Sequence, residues 1–329
     1  MSGGDNVLEV DGLDVDIRTG RGVLHAVRDV SFDVARGETL CLVGESGCGK
    51  SMTALSVMGL LPKTATRRTR GLRFLGENLG AADGKRINDL RGDRMAMVFQ
   101  EPMTALNPAY TVGEQMMEHH RHHRRSSQQQ ARARAVELLE KVGIASAAQR
   151  LGQYPHQLSG GLRQRVMIAM ALMCEPQLLI ADEPSTALDV TIQAQILRLL
   201  ADLQAELGIA MVLITHDLGV VARIADRVAV MYAGQVVEAG PVQEIFATPN
   251  HPYTRGLMSC IPVPGRTEPG GKLGNIPGVV PSLVGGLQGC LFRDRCPLTQ
   301  PECALQVPVH RSAAGQQWRC IFGDSAVVA

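Results

Sequence analysis

The sequence predicts an α/β fold with a parallel sheet, and three observations support that prediction. Short apolar runs, as expected for buried strands, alternate with segments of helical periodicity through the middle of the chain. A glycine-rich loop connects the first of these runs to a helix. Before it, residues 7–17 and 22–34 alternate between apolar and polar side chains, which predicts half-buried antiparallel strands. We therefore expect a parallel core preceded by an antiparallel β-subdomain.

The remaining elements are assigned in chain order. A strand at 39–43 enters the glycine-rich loop, and the helix after it stops before Pro62. A second strand, at 95–99, leads through a turn-rich stretch to a polar helix at 115–142. We expect the histidines of that helix to lie on a solvated face; they are His119, His120, His122 and His123. The later elements are a helix at 161–173, strands at 178–181, 211–215 and 228–231, and helices at 190–207 and 218–225.

Near residue 249 the composition shifts toward proline, glycine and cysteine, and long periodic runs become few. We place a domain boundary there, between a domain at 1–248 and an extension at 249–329. The chain of 329 residues is 45% hydrophobic and 20% charged, which is enough to bury a substantial core.

Composition also excludes several functions. A net charge of +1 and an aromatic content of 3% argue against nucleic acid as a partner. The first 16 residues lack a basic start followed by an apolar core, and no run approaches the ~18 apolar residues of a membrane helix. We expect neither a secretion signal nor a membrane span, so a membrane would be reached only through partner subunits.

Residues 44–51, GESGCGKS, fit the phosphate-loop pattern G-x-x-x-x-G-K-[ST] at every fixed position. The glycines allow successive backbone N–H groups to face phosphate oxygens, and the following helix points its positive end at them. Lys50 is expected to reach the β and γ phosphates and Ser51 to hold Mg²⁺. The motif alone does not separate kinases, GTPases and transporter ATPases.

A second motif is the apolar strand that ends in Asp182 and Glu183. A carboxylate at Asp182 can bind Mg²⁺, and one at Glu183 can polarise an attacking water. A third is LSGGLRQR at residues 158–165, where a hydroxyl, exposed amides and a helix start again favour phosphate. One nucleotide cannot easily use both phosphate-binding elements within one chain.

Together with Gln100, residues 185–189 and His216, these motifs occur in the order found in ABC ATPases, and the chain resembles that family. The resemblance implies a P-loop, RecA-like core with an inserted helical subdomain at about 101–175 and a head-to-tail dimer that holds ATP between subunits. It implies that Glu183, His216 and Gln100 are catalytic and that Ser51, Gln100 and Asp182 hold Mg²⁺. The implied ATP contacts are Gly44, Ser46, Gly47, Cys48, Gly49, Lys50, Ser51 and Met52. Ser159, Gly160 and Gly161 would contact the ATP of the partner subunit, and the implied D-loop comprises Ser185, Ala187, Leu188 and Asp189.

Five segments resemble one subfamily of ABC ATPases, the ATPases of oligopeptide and dipeptide importers, and in particular their D-type subunit. These segments are residues 99–108, 161–172, 187–195, 251–257 and 289–297. This implies two membrane permeases, a second ATPase in a heterodimer, an extracytoplasmic substrate-binding protein and a place at the cytoplasmic face of the membrane. Nickel or glutathione import, a soluble non-transport ABC ATPase and a catalytically silent subunit are the alternatives.

The chain departs from the family in two places. No Tyr, Phe or Trp before Ser31 can stack on adenine, so the adenine contact stays unassigned and His25 is a weak candidate. Leu162 stands in the signature where Gln or Met is usual, and we expect little effect.

Cys290, Cys296, Cys303 and Cys320 crowd the end of the chain. Their spacing is wider than that of ordinary zinc pairs and differs from ferredoxin runs. Four thiolates suit zinc or an iron–sulfur cluster. Members of the resembled subfamily carry a [4Fe–4S] cluster here, so we expect that cluster, with zinc second and free thiols third.

Overall fold

The computed structural model describes residues 6–80, 84–101, 105–185, 189–261 and 274–323. The chain divides into two compact units, and each gathers separate parts of the sequence. The phosphate-loop unit comprises Leu8–Asp33, Thr39–Gly80 and Thr215–Ala329. The helical unit comprises Met1–Val7, Val34–Glu38 and Ala81–Ile214.

The strands, in chain order, are β1 (Asn6–Thr19), β2 (Gly22–Ala35), β3 (Thr39–Val43), β4 (Ala65–Arg68), β5 (Gly71–Phe74), β6 (Glu77–Asn78), β7 (Met95–Val98), β8 (Leu178–Asp182), β9 (Ala210–Thr215), β10 (Arg227–Tyr232), β11 (Gln235–Pro241), β12 (Val309–Arg311) and β13 (Gln317–Arg319). The α-helices are α1 (Lys50–Val57), α2 (Gly84–Leu90), α3 (Val112–Arg124), α4 (Gln128–Lys141), α5 (Ala147–Arg150), α6 (Gly160–Ala171), α7 (Val190–Leu207), α8 (Leu218–Ile224), α9 (Val242–Ala247) and α10 (Pro252–Ser259).

The phosphate-loop unit contains the predicted antiparallel sheet, in the order β2-β1-β5-β6, with β4 also paired to β1. A second set of strands runs β12-β13-β11-β10-β3. Within it β10 is parallel to β3, whereas β11 is antiparallel to both β10 and β13. Strands β12 and β13 come from the predicted extension, so this cysteine-bearing segment continues a sheet of the unit. The boundary near residue 249 stays a prediction.

The helical unit contains parallel strands in the order β7-β8-β9. Every residue of β8 and β9 is buried, which explains their continuous apolar sequences, because parallel strands are covered on both faces. Helices α3 to α6 fall within the stretch predicted as a helical subdomain. None of the helices in the described part of the chain is long and apolar enough to cross a membrane.

The predicted single helix at 115–142 is wrong, because the chain breaks between α3 and α4. Arg125 adopts a left-handed conformation with φ of 51° and ends α3. Ser127 then caps α4 by accepting from the amide of Gln130. A serine and a glutamine three residues apart form a capping box, which starts a new helix.

The predicted solvated face of α3 is also wrong in part. His119 is half-buried, its Nε2 lies 3.0 Å from the carbonyl oxygen of Gly92, and its ring meets that of His123 edge-on. Burial and then the neighbouring His123 lower the pKa of His119. His120 is half-buried against Ser126, and only His122 of the four is exposed.

Candidate active site

Loop 44–51 has a backbone that only glycine can adopt at its critical positions. Gly44 has a φ of 153°, and a Cβ there would lie 2.2 Å from the carbonyl oxygen of Met231. Gly49 has a φ of 103° and would bring a Cβ within 2.5 Å of the carbonyl oxygen of Ala26. Gly49 also starts α1, where a glycine offers no side chain to cap the first amides. Amides at such a helix start can bind phosphate.

Lys50 is buried, with its ammonium group turned onto the loop. Its Nζ donates to the carbonyl oxygens of Gly44 at 2.8 Å and Glu45 at 3.1 Å. The side chain therefore lies along the loop, where an ammonium group can serve a phosphate that the loop encloses. Burial raises the pKa of the neighbouring Cys48 thiol, although the charge of Lys50 opposes that rise.

The ends of β7 and β8 bring Gln100 and Glu183 together. The two strands are paired in parallel, with Val98 opposite Ala181, so both strands end at the same edge of the sheet. The Nε2 of Gln100 donates to a carboxylate oxygen of Glu183 at 3.3 Å. An amide held against a carboxylate is suited to orienting a water molecule that the carboxylate deprotonates.

Glu183 is held in an uncommon conformation. Its φ is 43°, which is unfavourable for a residue that is not glycine. Its backbone amide donates to the carbonyl oxygen of Ile214 at 3.0 Å, which ties it to β9. The carboxylate of the preceding Asp182 is buried at the end of β8.

His216 lies directly after β9 and is exposed. On one side of it Thr215 is buried, and its hydroxyl accepts from the amide of Asp217 at 3.0 Å. Asp217 in turn caps α8 by accepting from the amides of Gly219 and Val220. The histidine is thus placed by a strand end and a helix cap.

The signature residues lie at the start of α6. Ser159 is the N-cap and accepts from the amide of Leu162 at 3.4 Å, and both Ser159 and Gly160 are exposed. Gly161 packs closely on Ile192, since a Cβ there would lie 3.1 Å from a methyl group of that side chain. A hydroxyl and the start of a helix therefore face solvent together.

Two of the four predicted D-loop residues can be located. Ser185 is buried, and Asp189 caps α7 by accepting from the amide of Ile192 at 3.0 Å. Ala187 and Leu188 lie outside the described residues.

Comparisons with known proteins identify the family. A family model for "ABC transporter" matches residues 27–186, and one for "Oligopeptide/dipeptide transporter, C-terminal region" matches residues 237–303. The dipeptide transport ATP-binding protein DppD of Bacillus subtilis is 50% identical over 306 residues, which are 92% of this chain and 90% of that protein. The chain belongs to the ATP-binding proteins of the oligopeptide/dipeptide ABC transporter family. A probable peptide ABC transporter ATP-binding protein of Sinorhizobium fredii, y4tR, is 51% identical over 93% of this chain and 91% of its own length.

Solved structures show the same cassette fold. The dimeric bacterial ABC transporter cassette MJ0796 matches with a TM-score of 0.64 and 27% identity, over 71% of this chain and 98% of that one. The cbiO1 protein of Clostridium perfringens matches with a TM-score of 0.63 and 28% identity, over 74% of this chain and 92% of that one. This ABC transporter ATP-binding protein therefore has the mixed α/β fold of an ABC ATPase cassette.

The four clustered cysteines of this ABC ATP-binding protein are all free thiols. The amide of Cys290 donates to the carbonyl oxygen of Cys303 at 2.7 Å. Burial first, and then the neighbouring cysteines Cys303, Cys320 and Cys296, raise the pKa of Cys290 to about 11. However, no group of three or more His, Cys, Asp or Glu among the described residues has a metal-holding arrangement. The thiols fit a soft metal centre by their chemistry but not by their placement, so the predicted cluster is not confirmed.

His25, the weak candidate for the adenine contact, is engaged with a carboxylate. Its Nδ1 lies 2.7 Å from Asp16, and Arg68 reaches the other oxygen of the same carboxylate at 2.7 Å. Burial alone would raise the pKa of Asp16, but the hydrogen bonds from His25 and Arg68 outweigh burial and lower it. The adenine contact of this cassette stays unassigned.

Sequence reasoning missed three residues around the phosphate loop. Glu45, inside the motif, forms a bidentate ion pair with Arg295, and its amide donates to the hydroxyl of Tyr253. In the sequence, the segments around Tyr253 and Arg295 show only a likeness to the importer family. The burial of Arg295, which requires a partner for its charge, is visible only in the structure.

Proposed function

We propose that this chain is the ATP-hydrolysing subunit of an ABC importer of short peptides. The observation that carries the hydrolytic part is the hydrogen bond between Gln100 and Glu183 at the ends of adjacent parallel strands. Peptides are proposed as cargo because relatives covering more than nine-tenths of this chain are named as peptide or dipeptide transport ATP-binding proteins.

ATP is proposed to bind at loop 44–51. Amides of the loop and of α1 would cradle the phosphates, and Lys50 would leave the carbonyls of Gly44 and Glu45 to meet them. Ser51, Gln100 and Asp182 would hold Mg²⁺; their side-chain oxygens are the hard ligands that this ion prefers. When bound, Mg²⁺ neutralises charge on the phosphate oxygens. The proposed ATP contacts are Gly44, Ser46, Gly47, Cys48, Gly49, Lys50, Ser51 and Met52.

Hydrolysis is proposed to use Glu183 as the general base. Its carboxylate accepts a proton from water while the water oxygen bonds to the γ phosphorus and the bond to the leaving ADP oxygen breaks. The amide of Gln100 fixes the direction of that carboxylate. His216 would donate to the γ phosphate from its exposed position after β9.

A second ATPase is proposed to complete each site, as a heterodimer. Ser159, Gly160 and Gly161 would contact the ATP of the partner; the exposure of Ser159 and Gly160 supports this role. Ser185, Ala187, Leu188 and Asp189 would link the two sites. The two ATPases would act on two permeases at the cytoplasmic face of the membrane, with cargo delivered by an extracytoplasmic binding protein. The catalytic domain would be residues 1–248, with a helical subdomain at about 101–175 and an extension at 249–329.

The test is reconstitution of this chain with its permeases, partner ATPase and binding protein in vesicles. We expect peptide-loaded binding protein to stimulate ATP hydrolysis and peptide to accumulate across the membrane. Nickel chelates and glutathione in place of peptide test the alternative cargoes. ATP hydrolysis that no peptide stimulates, with no permease co-purifying, would favour a soluble non-transport ATPase.

We also propose that the four cysteines hold a [4Fe–4S] cluster, with zinc as the alternative. The support is that Cys303, Cys320 and Cys296 lie near enough to Cys290 to raise its pKa, although the described side chains do not surround a metal position. Iron, sulfide and zinc analysis of anaerobically purified protein decides between the two. Cys303→Ser should lose the metal, whereas Cys260→Ser should keep it. Protein with none of these elements would leave the cysteines as free thiols.

A further inference from the structure

Arg295 is a buried arginine whose hydrogen-bonding capacity is completely used. Its side chain is 5% exposed, and it lies in the 3₁₀ turn Arg293–Arg295, one residue before Cys296. A guanidinium group has five N–H donors. All five have an acceptor: two on the Glu45 carboxylate at 2.7 and 3.0 Å, two backbone carbonyls, and the Tyr232 hydroxyl at 3.4 Å.

The surroundings of Arg295 fix its geometry. Its guanidinium carbon lies 5.7 Å from the ring centre of Tyr232 and 6.0 Å from that of Phe292, within the range of cation–π attraction. Gly278 leaves room for it, since a Cβ there would lie 3.0 Å from the Arg295 Cγ and would require an unfavourable φ of 83°. The arginine is therefore preorganised, which reduces the entropic cost of holding Glu45.

Glu45 is the second residue of the phosphate loop, and it is held at two points. Arg295 binds both oxygens of its carboxylate, and the hydroxyl of Tyr253 in α10 accepts from its backbone amide at 3.0 Å. Tyr253 is itself fully buried against Phe292 and Tyr232. Both holding residues come from the chain beyond residue 249.

A chain of contacts leads from Arg295 to the phosphate-binding lysine. Arg295 fixes the side chain of Glu45, and the carbonyl oxygen of Glu45 accepts from the Nζ of Lys50 at 3.1 Å. A bidentate charge pair of low exposure is strong and directional. Small displacements of a binding group weaken ligand affinity, so the residues that support it matter.

We propose that Arg295 is a positioning residue of the phosphate loop, through which the C-terminal segment sets the affinity for ATP. It acts through Glu45 and does not touch the nucleotide. The proposal rests on the proposed binding of ATP at loop 44–51.

The experiment measures ATP dissociation constants and, without nucleotide, unfolding temperatures for the full-length chain and its variants. KM and kcat are measured for the same variants in the reconstituted transporter. We expect Arg295→Gln to weaken ATP binding about tenfold, which corresponds to about 1.4 kcal/mol. We expect kcat at saturating ATP to change less than about threefold, since bound phosphate re-forms the loop. Arg295→Lys keeps the charge but loses the bidentate guanidinium group. Its ATP affinity should lie between those of the wild type and Arg295→Gln.

Arg293→Gln is the matched control. It removes an arginine from the same turn, where Arg293 pairs with Asp294 and the carbonyl of Gln288. ATP affinity should then stay within about twofold of the wild-type value. Glu45→Gln should lower ATP affinity as much as Arg295→Gln does. The double variant should bind ATP as well as either single variant, because the two residues act as one pair.

The outcomes separate this inference from the proposed function. Unchanged ATP affinity in Arg295→Gln, or additive losses in the double variant, would overturn the role of Arg295. If Arg295→Gln does not fold, Glu45→Gln alone carries the test, and normal ATP affinity in that variant overturns the inference. Lys50→Ala tests the binding site itself, and normal ATP affinity there would refute the proposed function.

Discussion

At the scale of single residues, the candidate catalytic group is a carboxylate in a costly backbone conformation. Glu183 has a φ of 43° and keeps it through the hydrogen bond from its amide to Ile214. Non-glycine residues in this region cost roughly 1–3 kcal/mol and cluster at functional sites. The conformation directs the side chain toward Gln100, 3.3 Å away. The strained backbone at Glu183 therefore sets the direction of its carboxylate.

Glu183→Gln should lower kcat for ATP by at least about a hundredfold, because an amide cannot accept the proton of the attacking water. ATP binding should remain, since Lys50 and the loop are unchanged. Phosphate release and equilibrium nucleotide binding measure the two effects separately. Hydrolysis at the wild-type rate would mean that another group is the base.

At the scale of elements, the helices begin where side chains accept the first free amides. Thr111 accepts from the amide of Glu114, while the Glu114 carboxylate accepts from the amide of Thr111. This capping box starts α3. The amide of Tyr253 donates to Nδ1 of His251, which starts α10 next to the phosphate loop. Local capping thus determines where functional side chains stand along each helix.

Thr111→Ala should destabilise the protein by about 1 kcal/mol, because the amide of Glu114 loses its acceptor. The unfolding temperature measures the loss. Thr111→Ser keeps the hydroxyl and should stay close to wild type. An equal loss of stability in both variants would mean that the methyl group of Thr111, and not its capping hydroxyl, stabilises the protein.

The pH dependence of stability should include a contribution from His251. Burial first, and then the charge of Arg255, lower the pKa of His251 to about 3. The ordinary pKa of histidine is 6.5, so below that pH the unfolded chain takes up a proton that the folded chain refuses. The unfolding free energy should therefore fall as the pH falls from about 6.5 toward 3, by about 1.4 kcal/mol for each unit of pKa difference.

His251→Asn keeps an acceptor at the cap but cannot titrate, so its stability should change less with pH over that window. Denaturant unfolding of both proteins between pH 7 and 4 measures the difference. The neighbouring Glu238 has a pKa raised by burial, and its effect has the opposite sign: its contribution is lost as pH rises. It is present in both proteins and cancels in the comparison. Parallel pH profiles would contradict the assignment to His251.

At the scale of the whole molecule, the chain carries a phosphate loop and an exposed signature in separate compact units. In the proposed function, the signature of this chain contacts the ATP that is bound to the partner ATPase. The assembled transporter, and not the isolated chain, is then the unit of ATP turnover.

Ser159→Arg, placed in the Glu183→Gln background, should abolish ATP-dependent association with the partner ATPase. The arginine side chain would fill the space that the partner's ATP needs at the start of α6. Its positive charge would also oppose the helix dipole. Sedimentation with and without ATP measures the association. Gln129→Arg on the exposed surface of α4 is the control and should leave association intact. Association that survives Ser159→Arg would remove the signature from the interface.

The sequence was sufficient to predict the features that depend only on residues close to one another in the chain. The strand–loop–helix at Lys50, the acidic end of β8 and the helix start at Ser159 were recognisable because their chemistry is local. The break at Arg125 was missed because both sides of it have helical periodicity. The pair of Glu45 with Arg295 could not be predicted, since 250 positions separate the two residues and only folding brings them together. The wide cysteine spacing left the choice of metal open for the same reason.

The separation of Glu45 and Arg295 also affects the order of events during synthesis. A ribosome joins the phosphate loop long before it reaches Arg295, which lies 250 positions further along the chain than Glu45. N-terminal parts of a chain begin to fold while the rest is still being made. By the proposed role of Arg295, a nascent chain should therefore hold nucleotide weakly until Arg295 has been joined and has met Glu45. Full affinity for ATP would then arrive late in synthesis, long after the loop itself has been made.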